Sequence, residues 1–301
     1  MEFCEERNKL KFIQFVVLIG FYRFYATAVS TLVPLYLKKY TMGKVHSIFN
    51  KGFNVKFGEL LIYITSNKYS ISPLGINISE EKFESILNSI KVSDIVTRKE
   101  EKLYFYTINE IISINYKFME QVDLSLPKVE CKIKDIKNSY LYNALDRMDF
   151  EKLIGLELDE RTLKHMELLV NSDKKNSDIN KLIINFFIGR GKGLTPSGDD
   201  ILLGFTAVLM IFGKAKDWIT SLREQITYEK TTIVSITYIN SLLEGYVSED
   251  FKELIKSLDY KESTLIDKCI GKVKSFGNTS GSDTLFGFTL GLKFLKNNYI
   301  N

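Results

Sequence analysis

Cysteine and histidine are almost missing from this chain. The three cysteines, Cys4, Cys131 and Cys269, lie far apart, make no metal-ligand spacing and are odd in number, so no disulfide framework is implied. Such usage fits a reducing cytoplasm. Two histidines, His46 and His165, are too few to build a histidine metal centre. Proline occurs only four times, and no linker of obvious composition divides the chain. Neither charge sign dominates: a net charge of +4, evenly spread, makes no electrostatic case for nucleic acid. An uninterrupted membrane-length run is lacking too. Phe12 to Phe21 is apolar apart from Gln14 and Gly20, but Arg23 breaks it before Phe24 to Leu37 resumes, whereas a span needs about 20 apolar residues. No secretory cleavage site follows convincingly. Membrane insertion is therefore not expected, and residues 1–25 read as an N-terminal extension, an extra helix packed on the body.

Two catalytic signatures are missing as well. Gly191-Lys192 is followed by no Ser or Thr and lacks the upstream glycine spacing of a nucleotide-binding P-loop. Neither histidine has a local partner pattern for a Ser-His-Asp set. What remains is 301 residues, 45% hydrophobic and 26% charged, an ordinary globular composition with room for two domains.

The most informative stretch is Gly189-Arg190-Gly191-Lys192-Gly193-Leu194-Thr195-Pro196-Ser197-Gly198-Asp199-Asp200. Three alternate glycines allow tight turning, Pro196 fixes one φ, and Ser197, Asp199 and Asp200 suit a helix N-terminus. The apolar run from Ile201 to Phe212 predicts a buried helix. A glycine-rich turn entering a helix favours anions through free N–H groups and the helix dipole, and Arg190 and Lys192 add charge of the same sign. A well-capped core helix with a glycine hinge is the plainer alternative.

The chain then repeats itself. Gly277 to Phe288 places Ser280-Gly281-Ser282-Asp283 over Ser197-Gly198-Asp199-Asp200, and Leu285, Gly287 and Phe288 over Leu202, Gly204 and Phe205. A second apolar helix, Leu285 to Leu295, follows. The duplication predicts a pseudo-twofold pair of helix N-termini facing one pocket.

Gly-Leu-Thr-Pro-Ser-Gly-Asp-Asp at 193–200, with the later Thr-Ser-Gly-x-Asp helix start at 279–283, resembles the AllH (YlbF-like) proteins, a bacterial family linked to oxamate carbamoyltransferase of allantoin breakdown in purine catabolism. Val45-His46-Ser47-Ile48-Phe49 with Asn54 resembles that family's N-terminal signature, so the likeness runs over roughly residues 26–295. The chain departs from the family pattern at Gly189-Arg190-Gly191-Lys192-Gly193, where Gly-Leu-Gly-Pro-Gly is usual, and at Asn278, where His is frequent. The resemblance implies a cytoplasmic carbamoyltransferase subunit acting on carbamoyl phosphate and oxamate beside partner subunits. The alternative is a non-catalytic subunit that binds a small anion or serves assembly.

Between residues 45 and 116 short β-branched and aromatic segments alternate with turns. Strands are predicted at Lys44–Phe49, Val55–Phe57, Leu60–Thr65, Ile76–Ile78, Ile90–Val96 and Leu103–Ile108, with a short helix capped by Ser79. An antiparallel sheet or small barrel is the expected form. Asn54 reads as a turn residue. Asp123 to Lys137 looks like a connection, and from about Ser139 helical periodicity takes over through the second motif. The expectation is an α+β protein with a strand-rich domain at 26–137 and a helical domain at 138–301. Thr231 and Thr232, before Ser235, read as a helix cap or as part of the pocket.

Carbamoyl transfer needs a stabilised phosphate leaving group, a polarised carbonyl and a positioned acceptor, with preorganised donors supplying much of the effect. Candidate binding residues are Arg190, Lys192, Gly193, Thr195, Ser197, Gly198, Thr231, Thr232, Asn278, Thr279, Ser280 and Gly281. Gly198 and Gly281 would let backbone approach the ligand. Asp199, Asp200 and Asp283 would orient N–H groups or accept from the amide being carbamoylated. His46 reads as a hydrogen-bonded strand residue or as an acid or base, and the family signature places it with those aspartates as catalytic. No cofactor is expected; Mg²⁺ on the carboxylates is the minority option.

Overall fold

A computed structural model describes residues 20–173 and 175–300. The first half forms a closed barrel. Strands β1 (Gly20–Ser30), β2 (Met42–Phe49), β3 (Gly52–Phe57), β4 (Leu60–Ser66), β5 (Gly75–Ile78), β6 (Ile95–Lys99), β7 (Lys102–Tyr106) and β8 (Glu110–Asn115) run in the order β5-β4-β3-β2-β6-β7-β8-β1, and β1 returns to pair with β5. Most neighbours are antiparallel, but β1 runs parallel to β8 and β4 parallel to β5. β1 closes the ring: its first half pairs with β8, and Ala26, Ala28 and Val29 pair with Ile78, Asn77 and Ile76 of β5. A ninth strand, β9 (Glu120–Val122), adds parallel to the end of β1. Closure removes the free edges that an open sheet of this length would expose.

Helices α1 (Leu32–Leu37) and α2 (Glu80–Ser89) accompany the strands. Phe53 and Phe105 meet edge-on at 5.8 Å inside the barrel, and Phe83 of α2 lies 6.4 Å from Phe53. All three are fully buried, each contributing roughly 1.5–3 kcal/mol of transfer free energy.

Residues 20–25 belong to β1, so the extra helix expected at residues 1–25 is wrong over that part; residues 1–19 lie outside those described. The apolar spacing there serves a strand flanked on both sides. The strand expected at Ile90–Val96 is also corrected. Ile90 ends α2, Ser93 turns with φ of 78°, and β6 begins only at Ile95. Asn54 sits within β3 rather than in a turn. No helix among the described residues is long and apolar enough to cross a membrane.

The second half is helical: α3 (Tyr140–Asp146), α4 (Glu160–Asn171), α5 (Ser177–Phe187), α6 (Ser197–Ile211), α7 (Lys216–Gln225), α8 (Ile233–Leu243), α9 (Glu249–Lys256), α10 (Ser263–Lys274) and α11 (Ser280–Tyr299). Asn176 caps α5, accepting from the N–H groups of Asp178 and Ile179. Around the central pair α6 and α11 a separate hydrophobic core collects, with Phe205, Trp218, Phe288 and Phe294 fully buried.

The two halves are stitched at one edge. Leu126 N–H donates to Gly245 O at 2.7 Å and Val247 N–H to Leu124 O at 3.0 Å. Glu249 N–H donates to Ile71 O, while the Glu249 carboxylate accepts from Ile71 N–H. These bonds dock the β4–β5 loop on the start of α9 and leave a cleft between barrel and helices.

Candidate functional site

Two helix-loop-helix units, α5–α6 and α10–α11, cross as a pseudo-twofold pair. A Cβ on Gly204 would stand 2.1 Å from Thr284 O, and one on Gly287 would stand 2.1 Å from Ile201 O. Gly287 corresponds to Gly204 and Thr284 to Ile201 in the repeat, so the two contacts are equivalents. The loops obey the same relation: a Cβ on Gly198 would meet Phe187 O at 1.9 Å, and one on Gly281 would meet Val273 O at 1.9 Å.

These contacts alter the role expected for Gly198 and Gly281. Their N–H groups are already used, donating to Arg190 O at 2.8 Å and Phe276 O at 3.0 Å. Glycine is required here because each helix start abuts the end of the preceding helix. The two loops differ in length, since ten positions separate Phe187 from Ser197 but seven separate Val273 from Ser280. The first loop carries the excess.

Crossing the helix starts creates two equivalent niches. In one, Ser280 and Thr195 hydroxyls stand beside Asp200 and lie 2.5 Å from each other. In the other, Ser197 and Thr279 hydroxyls stand beside Asp283. The second niche is filled by the chain itself. Gly155 N–H donates to Asp283 Oδ1 at 2.9 Å, and a Cβ on Gly155 would lie 2.5 Å from Ser197 Oγ and 2.7 Å from Thr279 Oγ1. The first niche opens on the interdomain cleft. Asp200 is 7% exposed, and its Oδ2, like Asp283 Oδ2 in the filled niche, has no hydrogen-bond partner.

That cleft holds a cavity of about 60 Å³. Thr195 and Asp200 from the first motif and Gly281 and Thr284 from the second line it, so both repeats do reach one cavity. Tyr63 and Ser72 come from the barrel, Tyr238 from α8, and Tyr246 and Phe251 from around the start of α9. A smaller cavity of about 10 Å³ shares Tyr63, Ser72, Pro73 and Tyr238 with it and includes Asn54. Tyr63, Ser72 and Tyr238 escaped the sequence reading, as did Gly155, because only tertiary folding brings them to the motifs.

Burial dominates the electrostatics. It pushes the Asp200 carboxyl well above its ordinary range, and the nearby Asp283 and Asp199 add to the shift, while Ser280 and Thr195 oppose it. Burial also raises Asp199, which is held down in part by Gly189 N–H at 2.7 Å and by the hydroxyls of Thr231 and Ser235. Asp283 is raised by the same cause, opposed by Gly155 N–H, Thr279 and Ser197. Of the three, the fully buried Asp200 is the one that burial pushes furthest toward the neutral form. Tyr63 is pushed up to about 12, chiefly by burial, and Tyr238 is raised also.

Other expected site residues lie elsewhere. Arg190 packs its guanidinium 3.9 Å from the Phe186 ring centre and donates from Nε to Phe186 O, away from the cleft. Lys192, Gly193 and Asn278 are exposed, and none lines either cavity. Thr231 donates to Asp199 Oδ2. Thr232 caps α8, accepting from Ser235 N–H at 3.1 Å, and its hydroxyl donates to Leu194 O. Both roles are structural, and Thr232→Ala is expected to cost about 1 kcal/mol in a denaturant melt.

His46 is the extra residue of a β-bulge, since Val45 pairs with Val55 and Ser47 with Asn54. Its Nδ1 lies 3.1 Å from Ser47 Oγ, which accepts from Asn54 Nδ2 at 3.0 Å. The signature residues therefore form one chain of contacts, but only Asn54 reaches a cavity. Burial, then Lys56 and Lys44, hold the imidazole below its usual pKa. No group of three or more His, Cys, Asp or Glu side chains able to hold a metal ion occurs among the described residues.

No solved structure matches the chain. The family model described as oxamate carbamoyltransferase subunit AllH matches residues 187–292, from the end of α5 through most of α11, and so takes in both motifs. The model of the AllH family N-terminal domain matches residues 26–118, most of the barrel. With both parts matched in order, the chain belongs to the AllH family.

Proposed function

We propose that this chain is a carbamoyltransferase subunit for carbamoyl phosphate and oxamate, and that it works only beside partner subunits. The observation that carries the reading is the pair of motif niches within the matched region, one of them open to a cleft shared by both halves. Asp200, Thr195 and Ser280 would position the acceptor amide through hydrogen bonds, which raises rate by orientation and not by covalent catalysis. Among the described residues no Lys, Arg or His lines the cleft, so the cations that neutralise a phosphate leaving group come from outside it. Lys192 on the exposed loop is the nearest candidate in sequence, and a partner's basic groups are the other source. Mg²⁺ bound to the phosphate would serve the same end without a ready-made protein cage.

Carbamoyl transfer from labelled carbamoyl phosphate to oxamate should be absent for the purified chain and appear on adding the partner subunits encoded beside it. Full activity of the isolated chain would remove the partner requirement. No transfer by the complete complex would remove the enzyme reading. A second reading, a non-catalytic binding or assembly subunit, is favoured by the internal use of the Gly198 and Gly281 N–H groups, which leaves those donors with nothing to offer an anion.

A further inference from the structure

We infer that the outer face of β6, β7, β8 and β1 is the surface on which a partner subunit docks, one that presents an apolar patch ringed by carboxylates. The inference rests on the partner requirement proposed above and says where, and by what chemistry, that requirement is met.

The barrel has two unlike sides. β3 and β4 turn toward the helical half, where Asn54 and Tyr63, paired across the two strands, reach the cavities beside α8. On the other side a row of outward positions crosses four strands. Ile95 pairs with Tyr106, Tyr106 with Ile111, and Ile111 with Phe21. The alternate positions Val96, Phe105 and Ile112 are buried inside the barrel, as a period of two requires. Ile95, Tyr106 and Phe21 are instead 51%, 43% and 48% exposed. Tyr104 carries the patch into the next row, its ring 6.5 Å from that of Phe21. Large apolar side chains contiguous over four strands form the kind of patch that marks a protein contact.

Charge says what covers it. Lys44 stands opposite both Ile95 and Lys56, and Lys99 stands opposite Lys102. Arg23, its guanidinium 5.3 Å from the Phe21 ring, completes a border of cations. Among the described residues none of these five has a carboxylate within 4.0 Å. Like charges directly opposite one another destabilise a sheet, and this face carries two such pairs. The nearby acids do not relieve them. Asp94 accepts from Lys91 N–H in its own loop, Glu101 faces Lys117, and Glu110 lies at the margin opposite Gly20. A partner with acids around an apolar centre covers the row and removes the repulsion together. A second copy of the chain would set these cations against their own kind across a twofold contact. Residues 1–11, with three acids against three bases, offer no net complement either.

The test mixes the full chain with the partner subunits encoded beside it and follows the complex by sedimentation velocity, at about 0.1 M and about 1 M salt. Tyr106→Glu should weaken the complex at least about tenfold. Lys44→Glu combined with Lys99→Glu should weaken it about tenfold at the lower salt, with a smaller effect at the higher. All three side chains are exposed, so the variants should melt as the wild-type chain does. If Tyr106→Glu does not fold, the lysine pair still decides. A wild-type complex that both variants leave unchanged overturns the docking face and leaves the partner requirement standing. No complex with the wild-type chain overturns both. Loss of the complex in the variants, with a wild-type complex that transfers no carbamoyl group, keeps the face and removes the enzyme reading alone. Self-association that Tyr106→Glu abolishes would assign the face to a second copy, and a complex that forms only after residues 1–19 are removed would assign it to that segment. Either result overturns the inference.

Discussion

Gly287→Ala is expected to destabilise the protein by on the order of 3 kcal/mol, the upper part of the range for overpacking a tight core. In a chain of this size that is a melting shift of roughly 6–12 °C. The added methyl would sit 2.1 Å from Ile201 O and 2.7 Å from the Ile201 main chain, so backbone, not a flexible side chain, must move. Relief requires α6 and α11 to separate, and both run through the buried core of the helical half. Gly204→Ala should cost a similar amount, because its methyl would lie 2.1 Å from Thr284 O in the equivalent contact. Together the two should cost less than their sum, since one separation of the helices relieves both. Gly271→Ala in α10 makes the comparison clean. Nothing lies within 4 Å of its Cβ position, and there alanine should stabilise by about 0.5–1 kcal/mol through helix propensity. Equal effects at the three positions, read by differential scanning calorimetry, would contradict the close crossing.

This crossing shows which parts of the fold are legible in a single sequence. The helices from α3 to α11 follow from apolar periodicity bounded by caps such as Asn176 and Thr232. Barrel strands β2, β3, β4, β5 and β7 follow from short β-branched runs between turns. β1 does not, because its partners β8 and β5 lie some 90 and 50 residues away in the register Gly20↔Glu110 and Ala26↔Ile78. A strand whose partners are that remote leaves only a long apolar run, which resembles a helix as much as a strand.

The site is legible to the same depth. The duplicated Ser-Gly-x-Asp pattern locates both helix starts and suggests that they meet, as Thr195 and Ser280 do. Local pattern cannot say where each N–H goes. The glycines look like an open anion cradle in sequence, yet Arg190 O and Phe276 O consume the N–H groups of Gly198 and Gly281. Nor can it reveal that Gly155, in an unremarked loop before α4, plugs one niche and leaves the other open.

Asp200→Asn is expected to raise stability at neutral and alkaline pH by about 1.4 kcal/mol for each pH unit by which burial displaces the carboxyl's titration, because asparagine has no charge to bury. The gain should vanish near pH 4. Below the unfolded-state value of about 4, native and unfolded Asp200 both carry a proton, and ionisation costs the fold nothing. As pH rises, the unfolded chain releases that proton first, because burial and the neighbouring Asp283 and Asp199 hold the native carboxyl above its ordinary range. The native state then binds more protons than the unfolded one, so wild-type stability falls until the pH passes the raised native value. Asparagine has no proton to lose and escapes the decline. Asp199 and Asp283 titrate in both proteins, though each would be eased by loss of the third charge, which adds to the alkaline difference. Urea melts of both proteins from pH 4 to pH 9 read the difference directly. A difference that is flat across this range, or that grows toward acid pH, would mean that Asp200 is ionised in the native state at pH 4.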